Sequence, residues 1–228
     1  MTVITYHRTG GPAPRSDELL EVEDSGAATL RRVVNEGAVG EFADGASDSR
    51  SRKLAKAIGA AAGTEVRFQP PGRPPYETEE IVAGSDTFRF TPHQKVPKPV
   101  DRLRDQLVNL AAELVEHPVS ALRLTLEPPK LTITAVGSQP SEVEWNGAVT
   151  FDLFGEDESI ERSGQLELGV APGPTSVDPG WSAEVELPAD VNFNAKKTLQ
   201  VRATLRMKFA DGRWRDAQVT AVAGKGWT

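Results

Sequence analysis

The pattern of apolar and polar positions changes character at His117-Pro118. Upstream, stretches of two-residue alternation are interleaved with stretches of helical spacing. Thr2-Val3-Ile4-Thr5-Tyr6-His7-Arg8 is rich in β-branched and aromatic residues and ends at Gly10-Gly11-Pro12, which predicts a strand and a turn. Glu18–Val22 predicts a second short strand. Ser25 stands as the cap of a helix over about 26–36, with Ala27, Leu30, Val33 and Val34 at helical spacing and Gly37 at its end. The small, polar run from Phe42 to Ser51 reads as a mobile loop. Leu54, Ala57, Ile58 and Ala61 predict a short helix before Gly63, and Glu65–Phe68 a further strand. Pro70, Pro71, Pro74 and Pro75 lack amide donors and keep 69–75 out of any ladder. Tyr76–Val82 and Thr87–Phe90 predict a strand pair across Gly84-Ser85. The clearest helix covers about 98–116, where Val100, Leu103, Leu107, Leu110, Ala111 and Leu114 form one apolar stripe. Such a stripe must cover something, and a small antiparallel sheet is the expected partner.

Downstream of His117-Pro118 only short alternating segments remain. Leu122–Leu126 and Leu131–Val136 alternate with one apolar and one polar face. Glu142–Trp145 and Ala148–Phe154 flank Asn146-Gly147, a strong short-range hairpin signal. Gln165–Leu168 and Trp181–Leu187 follow. The longest pair is Thr198–Phe209 and Arg213–Val222 around Asp211-Gly212. These patterns predict an α+β class for the whole: an N-terminal antiparallel sheet with packed helices at 1–116, then an all-β sandwich domain, immunoglobulin-like or a related Greek key, at 119–228. A length of 228 residues suits two domains of this size.

Composition narrows the partners. Lys and Arg total 26 against 33 Asp and Glu, a formal charge of −7 spread over both halves. No basic face emerges, so no nucleic-acid partner is expected. No run approaches the length of apolar residues needed to span a bilayer, so no membrane partner is expected and the expected location is cytoplasmic. The absence of cysteine excludes disulfides, thiolate metal sites and a cysteine nucleophile.

Candidate chemistry is sparse. The histidines are His7, His93 and His117, with no HExxH arrangement and no calcium-loop spacing, so no metal or cofactor is expected. Neither a GxSxG elbow nor a phosphate-binding glycine motif occurs. The basic cluster Arg50, Arg52, Lys53 and Lys56 reads as the solvated face of a helix. An enzyme site at the domain junction would draw on His117, Glu113 and Glu116. A structural or assembly role would use open strand edges. Exposed loops at 43–52 and 69–75 offer contact points for a protein partner, with Asp44, Asp48, Arg73 and Tyr76 as candidate partner-binding residues.

Residues 1–116 resemble the emfourin family, small bacterial proteins whose founding member inhibits the metalloprotease protealysin. The likeness lies in Ile4-Thr5-Tyr6-His7-Arg8-Thr9-Gly10-Gly11, similar to that family's strand ending in an Arg-x-Gly-Gly turn. It continues in the strand pair from Tyr76 to Phe90 leading through Val96-Pro97 into the helix with Leu103, Leu107 and Leu110. The resemblance implies a non-catalytic domain that docks on a protein partner, a thermolysin-like zinc metalloprotease, by offering a loop to its active-site cleft.

Overall fold

The computed structural model describes residues 2–11, 15–72, 76–170, 173–191, 193–194 and 196–224. Among the described residues strand accounts for 53% and helix for 15%, which overturns the expected α+β class. The described residues hold fifteen strands and two helices, divided between two compact units. The first unit comprises Met1–Arg32 and Glu41–Pro118, the second Val33–Gly40 and Val119–Thr228.

In the first unit, β1 (Thr2–Gly10) pairs antiparallel with β2 (Ser16–Glu23), and β2 with β3 (Ala28–Arg32). Ile4, Tyr6, Leu20, Val22, Ala28 and Leu30 are buried while their neighbours stay partly exposed, the alternation a sheet with one covered face requires. The helix expected over about 26–36 is therefore absent. Leu30 fits the helical set with Ala27, Val33 and Val34 and also a two-residue alternation with Ala28, and the ladder to β2 pairs Ala28–Arg32. Ser25, expected as a helix cap, instead accepts the Ala27 N–H at 3.3 Å in a local turn. Gly26 takes a φ of +80°, and a Cβ there would lie 2.3 Å from the Ser47 carbonyl oxygen, so this turn requires glycine.

The chain then forms β4 (Val34–Glu36) in the second unit and β5 (Ala38–Asp44), whose residues divide between the units at Gly40. The loop expected from Phe42 to Ser51 contracts to a few residues, because α1 (Asp48–Ala61) starts early. Ser47 caps it, accepting the Arg50 N–H at 3.3 Å, and Asp48 places a negative charge in its first turn. Leu54, Ala57 and Ala61 are its buried stripe. No strand forms at 65–68. β6 (Glu77–Ala83) pairs with β1 and with β7 (Asp86–Phe90). α2 (Lys98–Leu114) follows, with Pro99 in its first turn. The six apolar residues read from its sequence are all buried, and α2 packs against α1 and β3.

An ion pair secures α2 to the sheet. Arg104 donates from Nε to Glu79 Oε2 at 2.6 Å and from Nη2 to Glu79 Oε1 at 2.7 Å, and Nη2 also donates to the Pro92 carbonyl at 3.0 Å. Its guanidinium lies 5.6 Å from the Phe90 ring centre. Hydrogen bonding to Glu79 raises the Arg104 pKa. The Tyr6 phenol is raised as well, first by burial and then by the Glu79 carboxylate.

The second unit contains β8 (Pro118–Glu127, entering from the first unit), β9 (Lys130–Gly137), β10 (Ser141–Phe154), β11 (Ile160–Leu166), β12 (Gly173–Val177), β13 (Ser182–Glu186), β14 (Thr198–Lys208) and β15 (Trp214–Gly224). One layer runs β13-β9-β8, the other β11-β10-β14-β15-β4, with β12 also on β10. Leu122, Leu124, Leu131 and Ile133 of the first layer share a core with Val143, Phe151, Val201, Leu205 and Val219 of the second. Val33 and Val39 belong to that core too, and β4 pairs in parallel with Gln218–Thr220 of β15.

The hairpin expected at Asn146-Gly147 does not form, because β10 continues through it. Trp145 faces Leu205 and Val149 faces Ala203, so four steps along β10 match two along β14. The Asn-Gly pair lies in this bulge, and β14 holds both arms. The outer neighbour of β10 changes there as well, from β12 at Ser141–Trp145 to β11 at Val149–Phe154. The β14–β15 pair closes at Asp211-Gly212 as its pattern indicates, with Gly212 at φ +76°.

Candidate functional site

A groove of about 390 Å³ lies between α1 and α2, within the first unit. Its volume falls in the usual range of ligand sites, roughly 300–1,000 Å³. Ser49, Arg50, Lys53 and Leu54 line one side, and Gln106, Asn109, Leu110 and Glu113 the other. Both walls are single helix faces. Positions 49 and 53 are one turn apart on α1, and 106, 109, 110 and 113 follow the 3.6-residue repeat on α2. Leu54 and Leu110, 5% and 6% exposed, make the floor, while Ser49, Lys53, Gln106, Asn109 and Glu113 are exposed at the rim.

Arg50 belongs to the frame of this groove. Its guanidinium donates to Asp44 Oδ2 and to the carbonyl oxygens of Gly26 at 2.6 Å and Gly45 at 3.3 Å, joining the β5–α1 connection to the β2–β3 turn. Asp44 also accepts the Gly45 N–H at 2.8 Å. The hydrogen bond from Arg50, then that from Gly45, and then the Arg50 charge hold the Asp44 carboxyl below the usual carboxylate range.

The candidate contact residues fall in different places. Asp44 and Asp48 flank the start of α1, beside the groove, with Asp48 exposed. Tyr76 precedes β6, its ring tilted against Phe68 at 6.1 Å, and Arg89 lies 5.1 Å from the Phe68 ring centre. Its carbonyl oxygen stands 2.5 Å from where a Cβ on Gly10 would be, so it belongs with the Gly10-Gly11 turn. Arg73 lies outside the described residues.

The histidines occupy separate elements. His7 Nε2 lies 2.7 Å from Asp17 Oδ1 on the neighbouring strand, and His93 sits in the turn after β7. His117, Glu113 and Glu116 are all exposed. Among the described residues no three His, Asp or Glu side chains gather as a metal-binding set, and no helix is long and apolar enough to cross a membrane.

Residues at the groove that sequence reasoning passed over are Gln106 and Asn109. Their signal was a polar stripe at helical spacing beside the apolar one, indistinguishable in sequence from a solvated face. The chain matches no protein-family model, and no curated protein matches it.

Proposed function

We propose that this chain is a non-catalytic protein-binding module, and that a thermolysin-like zinc metalloprotease is the partner to test first. The observation that carries the reading is the α1–α2 groove, an open cleft with helical walls, a polar rim of both charge signs and a small apolar floor. Protein recognition surfaces share this anatomy, with a desolvated centre and a polar surround. The metalloprotease enters through the resemblance of residues 1–116 to the emfourins.

Titration of a thermolysin-like protease with the full chain, read as residual peptidase activity, is the test. Inhibition that saturates at one equivalent supports the protease as partner. Undiminished activity at micromolar chain removes it and leaves an adaptor role, in which the chain binds proteins other than such a protease.

A further inference from the structure

Resting on the protein-binding reading, we propose that the α1–α2 groove receives an extended segment of the partner in which a short apolar side chain stands between one carboxylate and one cationic side chain. The charges at the rim motivate this choice. Arg50 is engaged by Asp44 and two backbone carbonyls. Lys53 on α1 and Glu113 on α2 are exposed, and neither has an ion-pair partner among the described residues. One unpaired cation on one wall and one unpaired anion on the other call for a ligand carrying both signs.

The dimensions select an extended chain of a few residues. From Gln106 to Glu113 the α2 wall rises about 10 Å at 1.5 Å per residue, which an extended peptide covers in about three residues at roughly 3.3 Å each. Alternate side chains of such a peptide point in opposite directions. The central one meets the floor of Leu54 and Leu110, whose small remaining exposure admits only a short apolar group. The two flanking ones turn toward the rim, where Lys53 meets the carboxylate and Glu113 the cation. Gln106 and Asn109 each present donors and an acceptor, matching a peptide main chain that has one of each per residue.

Fluorescence anisotropy with the full chain and labelled Gly-Ser-flanked peptides tests this. Peptides centred on Glu-Val-Lys and Lys-Val-Glu are the probes, with Glu-Val-Glu and Lys-Val-Lys as comparisons. At least one mixed-charge peptide is expected to bind about tenfold tighter than either comparison. Lys53→Glu should shift the preference to Lys-Val-Lys, and Glu113→Lys to Glu-Val-Glu. Equal binding of all four peptides, or variants that leave the preference unchanged, would overturn the assignment. Circular dichroism checks folding, and Asn109→Ala, which keeps both charges, should weaken every peptide alike. The protease titration repeated with Lys53→Glu/Glu113→Lys separates the two ideas. Inhibition that survives the swap defeats the groove and keeps the protein-binding reading, whereas charge-selective peptide binding without inhibition keeps the groove and removes the protease.

Discussion

The Glu79–Arg104 pair gives the sharpest test of what holds the first unit together. Glu79 is 2% exposed and Arg104 22%, so the two ends of the pair differ in their access to water. Arg104→Gln takes two charge-assisted hydrogen bonds from a carboxylate that cannot reach solvent and leaves it only the Tyr6 hydroxyl. Breaking a buried pair from one side costs about 3–5 kcal/mol. The residual exposure of the guanidinium places this case near the lower end, at about 3 kcal/mol. Glu79→Gln should cost less, about 1–2 kcal/mol, because the orphaned guanidinium keeps the Pro92 carbonyl and some water. Replacing both partners by apolar groups, Glu79→Leu with Arg104→Met, should restore much of the Arg104→Gln loss, since no charge is then left buried. A chain of two compact units need not unfold in one step. Hydrogen exchange resolved to β1, β6 and α2 across a urea series is therefore the assay. Equal costs for the two single variants, or a double variant less stable than Arg104→Gln, would refute the asymmetry argument.

Tyr6 and Tyr76 are the only tyrosines, so Tyr76→Phe leaves Tyr6 as the sole phenol to titrate. The folded pKa of Tyr6 lies above its unfolded value of about 10. Its contribution to stability is therefore complete below pH of about 10 and is lost as pH rises beyond it, and tyrosinate absorbance should appear only with unfolding; ionisation near pH of about 10 in the folded chain would contradict this. Gly26→Ala should cost well over the roughly 1 kcal/mol of a left-handed alanine, because its Cβ meets the Ser47 carbonyl, whereas Gly84→Ala, at φ +60° with open space around it, should cost only that roughly 1 kcal/mol. Denaturation midpoints that match for the two variants would show that the close approach relaxes. Trp145 is 3% exposed, its indole Nε1 is buried without an acceptor among the described residues, and its ring lies 5.7 Å from that of Trp181. Trp145→Phe removes the unsatisfied donor and should change stability by about 1 kcal/mol or less, against about 3–5 kcal/mol for Trp145→Ala. A loss above about 2 kcal/mol for the phenylalanine variant in calorimetry would contradict the argument that the unsatisfied donor offsets the lost ring volume.

The candidate site was only partly legible before folding. Asp44 and Asp48 drew attention through a small, polar stretch, and that stretch proves to be the capped start of α1 beside the groove. Ser47 and Asp48 carried the capping signal, but the loop composition around them masked it. Gln106 and Asn109 have no individual signature. They become a wall only because α1 packs opposite them, and no local pattern states which helix faces which.

Period and chain direction suffice for elements whose partners are close in sequence. The stripe of α2, the β6–β7 pair and the β14–β15 pair were readable because one apolar face and one turn define each. Residues 28–36 and 146–147 were not, because each fits two local structures of similar energy. Leu30 fits a helical set with Ala27, Val33 and Val34 as well as a two-residue alternation with Ala28, and Asn146-Gly147 suits a hairpin as well as a bulge. The choice rests with distant strands. β2 offers a ladder to β3, β15 receives β4, and β14 grips both arms of β10. Local propensity differs by a few tenths of a kcal/mol per residue, while burial of a large apolar side chain contributes about 1.5–3 kcal/mol. Where the local preferences are that closely balanced, the long-range core decides the fold.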